Sequence, residues 1–132
     1  MNARAVGLLE LEDWAEEFRE ENAGKPSLAR ACVTQVLRGD IEGEGRLEAL
    51  LFYHPDGSAS SVGLEHIEGR VGDRSGSFVL EHSGTVEDGV AKANFSVVPG
   101  SGTHELDGLR GSGWFVRPRG QRGSITLHYD FV

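Results

Sequence analysis

The sequence predicts an all-β protein, an eight-stranded antiparallel up-and-down barrel, and three observations carry that prediction. Asp88-Gly89 separates two alternating runs, Phe78 to Glu87 and Val90 to Val98. An Asp-Gly pair there supplies the positive φ that a two-residue type I′ hairpin turn needs at both central positions. Further turn signals, Pro55-Asp56-Gly57-Ser58 above all, punctuate other strand-length runs. Neither a βαβ alternation nor a solenoid-period repeat interrupts these hairpins, and closing such a sheet on itself removes its edges.

Taken in order, Ala5 to Leu11 reads as a strand. From Asp13 to Gly24 the local rules favour a short helix, with Asp13 as N-cap, Glu16 at the capping-box position, Trp14 and Phe18 four apart, and Gly24 and Pro26 as stops. Ala29 to Ile41 is a long strand that Glu42-Gly43 turns into Glu44 to His54. Pro55 to Ser58 leads into Ala59 to Val71, and Gly72 to Ser75 into the Asp88-Gly89 hairpin. A glycine-rich connection, Gly100 to Gly111, then precedes the last two strands, Ser112 to Pro118 and Gly123 to Phe131. Eight strands enclose enough space for side chains or for one small ligand.

At 132 residues the chain reads as a single barrel domain, 1–132, large enough to bury a core. Its 13 basic and 21 acidic residues give a net charge of -8, with no basic run, which argues against nucleic acid or an anionic membrane as partner. The 19 glycines cluster at predicted turns and bends, as a bulged and curved sheet requires. Cys32 is the sole cysteine, so no internal disulfide forms, and Met1 to Leu11 lacks the pattern of a signal peptide. A cytoplasmic protein is the expectation. Asn94-Phe95-Ser96 matches a glycosylation sequon but falls within a strand.

Several stretches carry a family resemblance: Val33-Thr34-Gln35, Gly39 to Gly45, Val62-Gly63-Leu64-Glu65, Arg74 to Leu80, His82-Ser83-Gly84-Thr85, Val97 to Thr103 and Gly108-Leu109-Arg110-Gly111. They resemble a family of small bacterial proteins known only as a domain of unknown function, over nearly the whole chain. The resemblance implies a barrel similar to that of allene oxide cyclase, within the lipocalin-like group, and no established activity. The allene oxide cyclase motifs are not matched residue by residue, so no catalytic residue is carried over. It also implies that Asp13 to Glu21 is extended, against the local helix signal.

Strand registers then place side chains. The Asp88-Gly89 turn pairs His82 with Phe95 and Leu80 with Val97 on an apolar face, and Thr85 with Lys92 on a polar one. A four-residue loop at Gly72 to Ser75 sets Ile67 opposite Leu80 and Glu65 opposite His82; a two-residue loop would shift partners and keep faces. Across Asp56-Gly57, Phe52 falls opposite Ser61 and Glu48 opposite Glu65; across Glu42-Gly43, Gln35 falls opposite Leu50. Gln35, Glu48, Glu65 and His82 thereby share the lumen with Phe52, Ile67, Leu80, Phe95 and Tyr129.

Carboxylates and an imidazole in an apolar lumen are costly unless paired, and such clusters are enriched at functional sites. Glu65, His82 and Glu48 are the candidate acid/base group, since neighbouring carboxylates resist ionising together. Gln35, Phe52, Ile67, Leu80, Phe95 and Tyr129 are the candidate ligand contacts. The expected function is binding of a small, largely apolar molecule in the lumen, with acid/base isomerase or cyclase chemistry open to the cluster. The competing reading is a structural or interaction barrel with a filled core. No HxH, HExxH or CxxC spacing points to a metal, no P-loop to a nucleotide and no nucleophile elbow to acyl transfer, so no cofactor is expected. Cys32 is expected outside and inert, and His54, His66, His104 and His128 on surfaces or loops. Leu47, Ala49, Leu51 and Tyr53, facing outward opposite Leu64 and Val62, would form an apolar stripe that the segment around Trp14 and Phe18 covers or that a second copy buries; a homo-oligomer, dimer first, is expected.

Overall fold

The computed structural model describes residues 2–18 and 27–132. Its strands are β1 (Ala3–Phe18), β2 (Ser27–Gly39), β3 (Ile41–Tyr53), β4 (Ala59–Val71), β5 (Arg74–Glu87), β6 (Val90–Val97), β7 (Leu109–Pro118) and β8 (Gly123–Phe131). Each pairs antiparallel with its sequence neighbours, and β1 closes on β8, giving a closed eight-stranded barrel. A single 3-10 turn, His104–Leu106, interrupts the β pattern among the described residues.

The β5–β6 register is the one the Asp88-Gly89 turn dictates, with φ of 51° and 76° at the two turn residues and His82 opposite Phe95. The β4–β5 turn is the two-residue form: Gly72 takes the positive φ, Val71 pairs with Arg74, and Glu65 lies opposite Leu80 rather than His82. Because the shift is by two residues, every side chain keeps its face.

Two other turns differ from expectation by an odd number of residues. Between β3 and β4 the His54 N–H bonds the Ser58 carbonyl, while the Asp56 carboxylate accepts from the Ser58 N–H and hydroxyl. Tyr53, not His54, therefore pairs with Ala59, and every β3 side chain changes face. Glu48 and Phe52 point outward as a result; Leu47, Ala49, Leu51 and Tyr53 point inward. The β2–β3 reversal centres on Asp40 instead of Glu42-Gly43, because β1 holds Asp40 there: its N–H bonds the Val6 carbonyl and its carboxylate accepts the Val6 N–H. Leu37 pairs with Gly43 and Gln35 with Gly45. This second odd offset restores the face of β2, which is why Gln35 lies inside although its expected partner was Leu50.

The helix expected from Asp13 does not form. Asp13 to Phe18 continues β1 against Ala29–Thr34 of β2, so tertiary pairing overrides the local capping signals; the rest of that segment, residues 19–24, lies outside the described residues. A bulge between Leu11 and Asp13 inserts Glu12, and this turns Trp14 and Glu16 toward the lumen.

The two ends of the barrel are built differently. At the end carrying the Asp40 and Gly72 turns, the lumen holds large side chains: Leu9, Leu37, Ile41, Ile67, Phe78, Leu106, Leu109 and Ile125 are all essentially inaccessible. The β6–β7 connection helps seal it. Strand β5 outlasts its partner β6, and oxygens of Glu105, Thr103 and Ser101 accept the otherwise free N–H groups of Ser75, Ser77 and Val79. That docking brings Leu106 into the core, and Gly76 permits it, since a Cβ there would collide with the Thr103 carbonyl. Toward the opposite end the lumen is lined by a second, smaller cluster, Ala31, Val33, Ala49, Leu51 and Ala59, with Trp14, Leu47, Tyr53 and Val86 packed against it. There β1 parts from β8, whose pairing with it ends at Leu9 opposite Gly123, and the barrel has a mouth.

Candidate functional site

Two polar constellations occupy the lumen. The deeper one is Gln35, Glu65 and His82, from β2, β4 and β5, all at most 4% exposed. Glu65 Oε1 lies 2.8 Å from His82 Nε2, and Glu65 Oε2 accepts the Gln35 amide at 2.6 Å. Gly45 makes room for the carboxylate, because a Cβ there would collide with Oε2. The His82 ring packs against Phe95 and Phe115, at centroid separations of 5.5 and 5.3 Å, and its buried Nδ1 has no partner among the described residues. An unpaired acceptor nitrogen is the cheaper form of that orphan, so the geometry favours the tautomer with its proton on Nε2, donating to Glu65.

The second constellation lies at the mouth. Glu16 accepts the Tyr53 hydroxyl at 2.9 and 2.8 Å and the Trp14 indole N–H at 2.5 Å. Burial, then the bond to Glu16, pushes the Tyr53 phenol up to about 12. Arg117, reaching in from β7, stacks its guanidinium over the Trp14 ring at 5.5 Å, and its buried Nη1 has no partner among the described residues. Burial lowers its pKa from the ordinary arginine value, opposed by the charge of Glu65.

A cavity of about 700 Å³ opens at this mouth, between Leu11 and Trp14 of β1, Val86 and Ala91 around the β5–β6 turn, and the Arg117–Arg122 segment. Beneath it a small void of about 40 Å³ lies between Trp14, Phe115, Arg117 and Gln35. Trp14 and Arg117 line both spaces, and Gln35 links the lower one to the Glu65 network.

Of the residues singled out in the sequence, Gln35, Glu65 and His82 come together in the lumen. Glu48 does not: it is on the outer face, 2.7 Å from Arg30 in an exposed ion pair. Phe52 is also outside, against His54, because of the face change in β3. Ile67 and Leu80 are core residues of the filled half, and Phe95 packs on His82. Tyr129 faces inward at the closed end, packing near Phe131 and the Gly72 turn, far along the barrel axis from the mouth. The sequence pattern did not find Arg117, Trp14, Glu16 or Tyr53. Trp14 and Glu16 were masked by the helix signal and the bulge, and Tyr53 by the β3 slip. For Arg117 the alternation of β7, with Phe115 inward, carried a usable signal once the barrel was assumed.

The phenol yields a pH prediction. Tyr53 holds its proton more tightly in the folded state than at its ordinary value of 10.0. The associated stability is fully present below pH 10 and is lost as the pH rises toward about 12, because the unfolded chain then binds fewer protons. Urea unfolding across that window should show a steeper alkaline loss for the native protein than for Tyr53→Phe, and parallel curves would contradict the assignment.

Fold and site together define a closed eight-stranded barrel with one filled end, one open mouth and a buried polar network between them. Residues 5–129 match the model of the family described as protein of unknown function (DUF3224), and the chain belongs to that family. The crystal structure of a DUF3224 family protein of unknown function from Shewanella oneidensis MR-1 is similar, with a TM-score of 0.79 at 26% identity, covering 100% of this chain and 98% of that one. No curated protein matches the chain in sequence. No helix among the described residues is long and apolar enough to cross a membrane.

Proposed function

We propose that the protein binds a small, largely apolar molecule in the mouth of its barrel. The observation that carries this reading is the cavity at the mouth: among the described residues, Leu11, Trp14, Tyr53, Val86, Ala91 and the Arg117–Arg122 segment enclose about 700 Å³, within the usual range of ligand cavities. The Trp14 ring, Val86 and Ala91 supply apolar contact, and Tyr53, Glu16 and Arg117 supply orienting polar groups.

Binding is favoured over acid/base turnover. Both Glu65 oxygens are already bonded, and Glu48, the second carboxylate an isomerase or cyclase would need beside it, is on the outside. The alternative of a filled, ligand-free barrel describes the lumen well and leaves the cavity at the rim without a role. Native mass spectrometry of the purified protein, followed by a thermal-shift screen of small apolar acids, ketones and alcohols, tests the proposal. A co-purified small molecule or a saturable stabilisation is expected; bare protein with no shift by any compound would contradict it.

The outer face supports a second copy as partner. Leu50, Phe52, Val62 and Leu64 are 49%, 40%, 56% and 53% exposed and adjoin across β3 and β4. This stripe replaces the one expected at Leu47, Ala49, Leu51 and Tyr53, and it exists because β3 is apolar on both faces. Self-complementary burial of such a stripe makes a two-fold dimer. Light scattering at micromolar concentration should give twice the chain mass, reduced by Val62→Lys, and a monomeric mass for the native protein would rule this out.

A further inference from the structure

Resting on the pocket reading above, we infer that the mouth cavity is a site for an apolar monoanion, a carboxylate-bearing small molecule whose charged group is held by the Arg117 guanidinium. Arg117 is aimed into both the cavity and the void beneath it, over the Trp14 ring, and its buried Nη1 donates to nothing among the described residues. A guanidinium cannot give up its charge to relieve burial, so an unmet donor there is a cost that an entering anion removes with a charge-assisted bond.

Among the described residues, the carboxylates of the cavity wall and the lumen do not bond Arg117. Glu16 accepts from Tyr53 and Trp14, Glu65 from Gln35 and His82, and Glu10 pairs with Arg122 at 2.8 Å. Asp88 sits exposed on its turn. The cavity lining holds three arginines, at 117, 119 and 122, against three acids, at 10, 16 and 88. On a chain of net charge -8 that is a locally neutral entrance, so an anion can approach it without the repulsion it meets elsewhere. The rest of the lining, with Trp14, Val86, Ala91 and Pro118, suits an apolar body and not a second charge.

The test is calorimetric titration with a matched pair, 4-phenylbutyrate and 4-phenyl-1-butanol, which differ in charge and hardly in shape. The native protein is expected to bind the carboxylate at least about tenfold more tightly than the alcohol, the scale of one charge-assisted hydrogen bond. Arg117→Met is expected to erase that ratio, and Arg117→Lys to restore part of it. Alcohol binding with no carboxylate preference in the native protein overturns the anion site and leaves the pocket standing. Failure of both probes to bind overturns both. The native comparison is decisive even if a variant does not fold, and a ratio that survives in folded Arg117→Met also overturns the assignment.

Discussion

Glu65→Ala is expected to destabilise the protein by about 3–5 kcal/mol, because it removes one member of a buried, mutually satisfied network and strands the others. His82 Nε2 and the Gln35 amide both donate to Glu65, and neither has solvent within reach to take its place. At this chain length the loss amounts to a fall in Tm of roughly 10 °C or more. Glu65→Gln retains an acceptor oxygen and the volume, and should cost about 1–3 kcal/mol, the penalty for one mismatched donor. Chemical denaturation of the two variants beside the native protein checks both figures. Equal and small effects would mean that the network is relaxed in solution and leaves Glu65 free for another role.

The second large effect separates the two halves of the lumen. Phe78→Ala is expected to cost about 3–5 kcal/mol, since Phe78 is 1% exposed within the filled end and its neighbours cannot collapse into the vacated space. Trp14→Ala removes a larger side chain and is expected to cost markedly less, because Trp14 already borders open space on the mouth side. Size alone would rank the two substitutions the other way. If Trp14→Ala proves the costlier change, the mouth is packed in solution and the barrel is filled from end to end.

The closed barrel was legible in the sequence because turn signals such as Asp88-Gly89 and Pro55 to Ser58 punctuate its strand-length runs. The Asp88-Gly89 turn fixed one register outright, and period-two alternation carried Glu65 and His82 to the lumen whichever form the Gly72 turn took. Strand β3 was not legible in the same way. Its run Ala49-Leu50-Leu51-Phe52-Tyr53 is apolar at consecutive positions, so its pattern does not choose a face, and the choice rests on how many residues the His54–Ser58 loop holds. Similarly, Asp40 becomes a turn because β1 bonds it, which is a long-range fact. The site suffered more than the fold from these limits. Its deep part lies on strands with clear alternation, whereas its mouth depends on a bulge at Glu12, on the face of β3 and on where β1 leaves β8.

The filled end and the open end also divide the labour of the molecule. Leu106, docked through the Ser101, Thr103 and Glu105 contacts, helps the closed end supply the stability. The open end can then keep a cavity at its rim. The Glu65 network lies between them, a buried carboxylate with both oxygens bonded.

The most direct test of a ligand site at the mouth is a backbone amide and indole chemical-shift map recorded while titrating 4-phenylbutyrate. Saturable changes should centre on the Trp14 indole, Tyr53, Val86, Gly89 and the Arg117–Arg122 segment, with Gly72, Leu106 and Tyr129 at the closed end unmoved. Changes confined to the outer stripe at Leu50, Val62 and Leu64, or no saturable change anywhere, would contradict a ligand site in the barrel mouth.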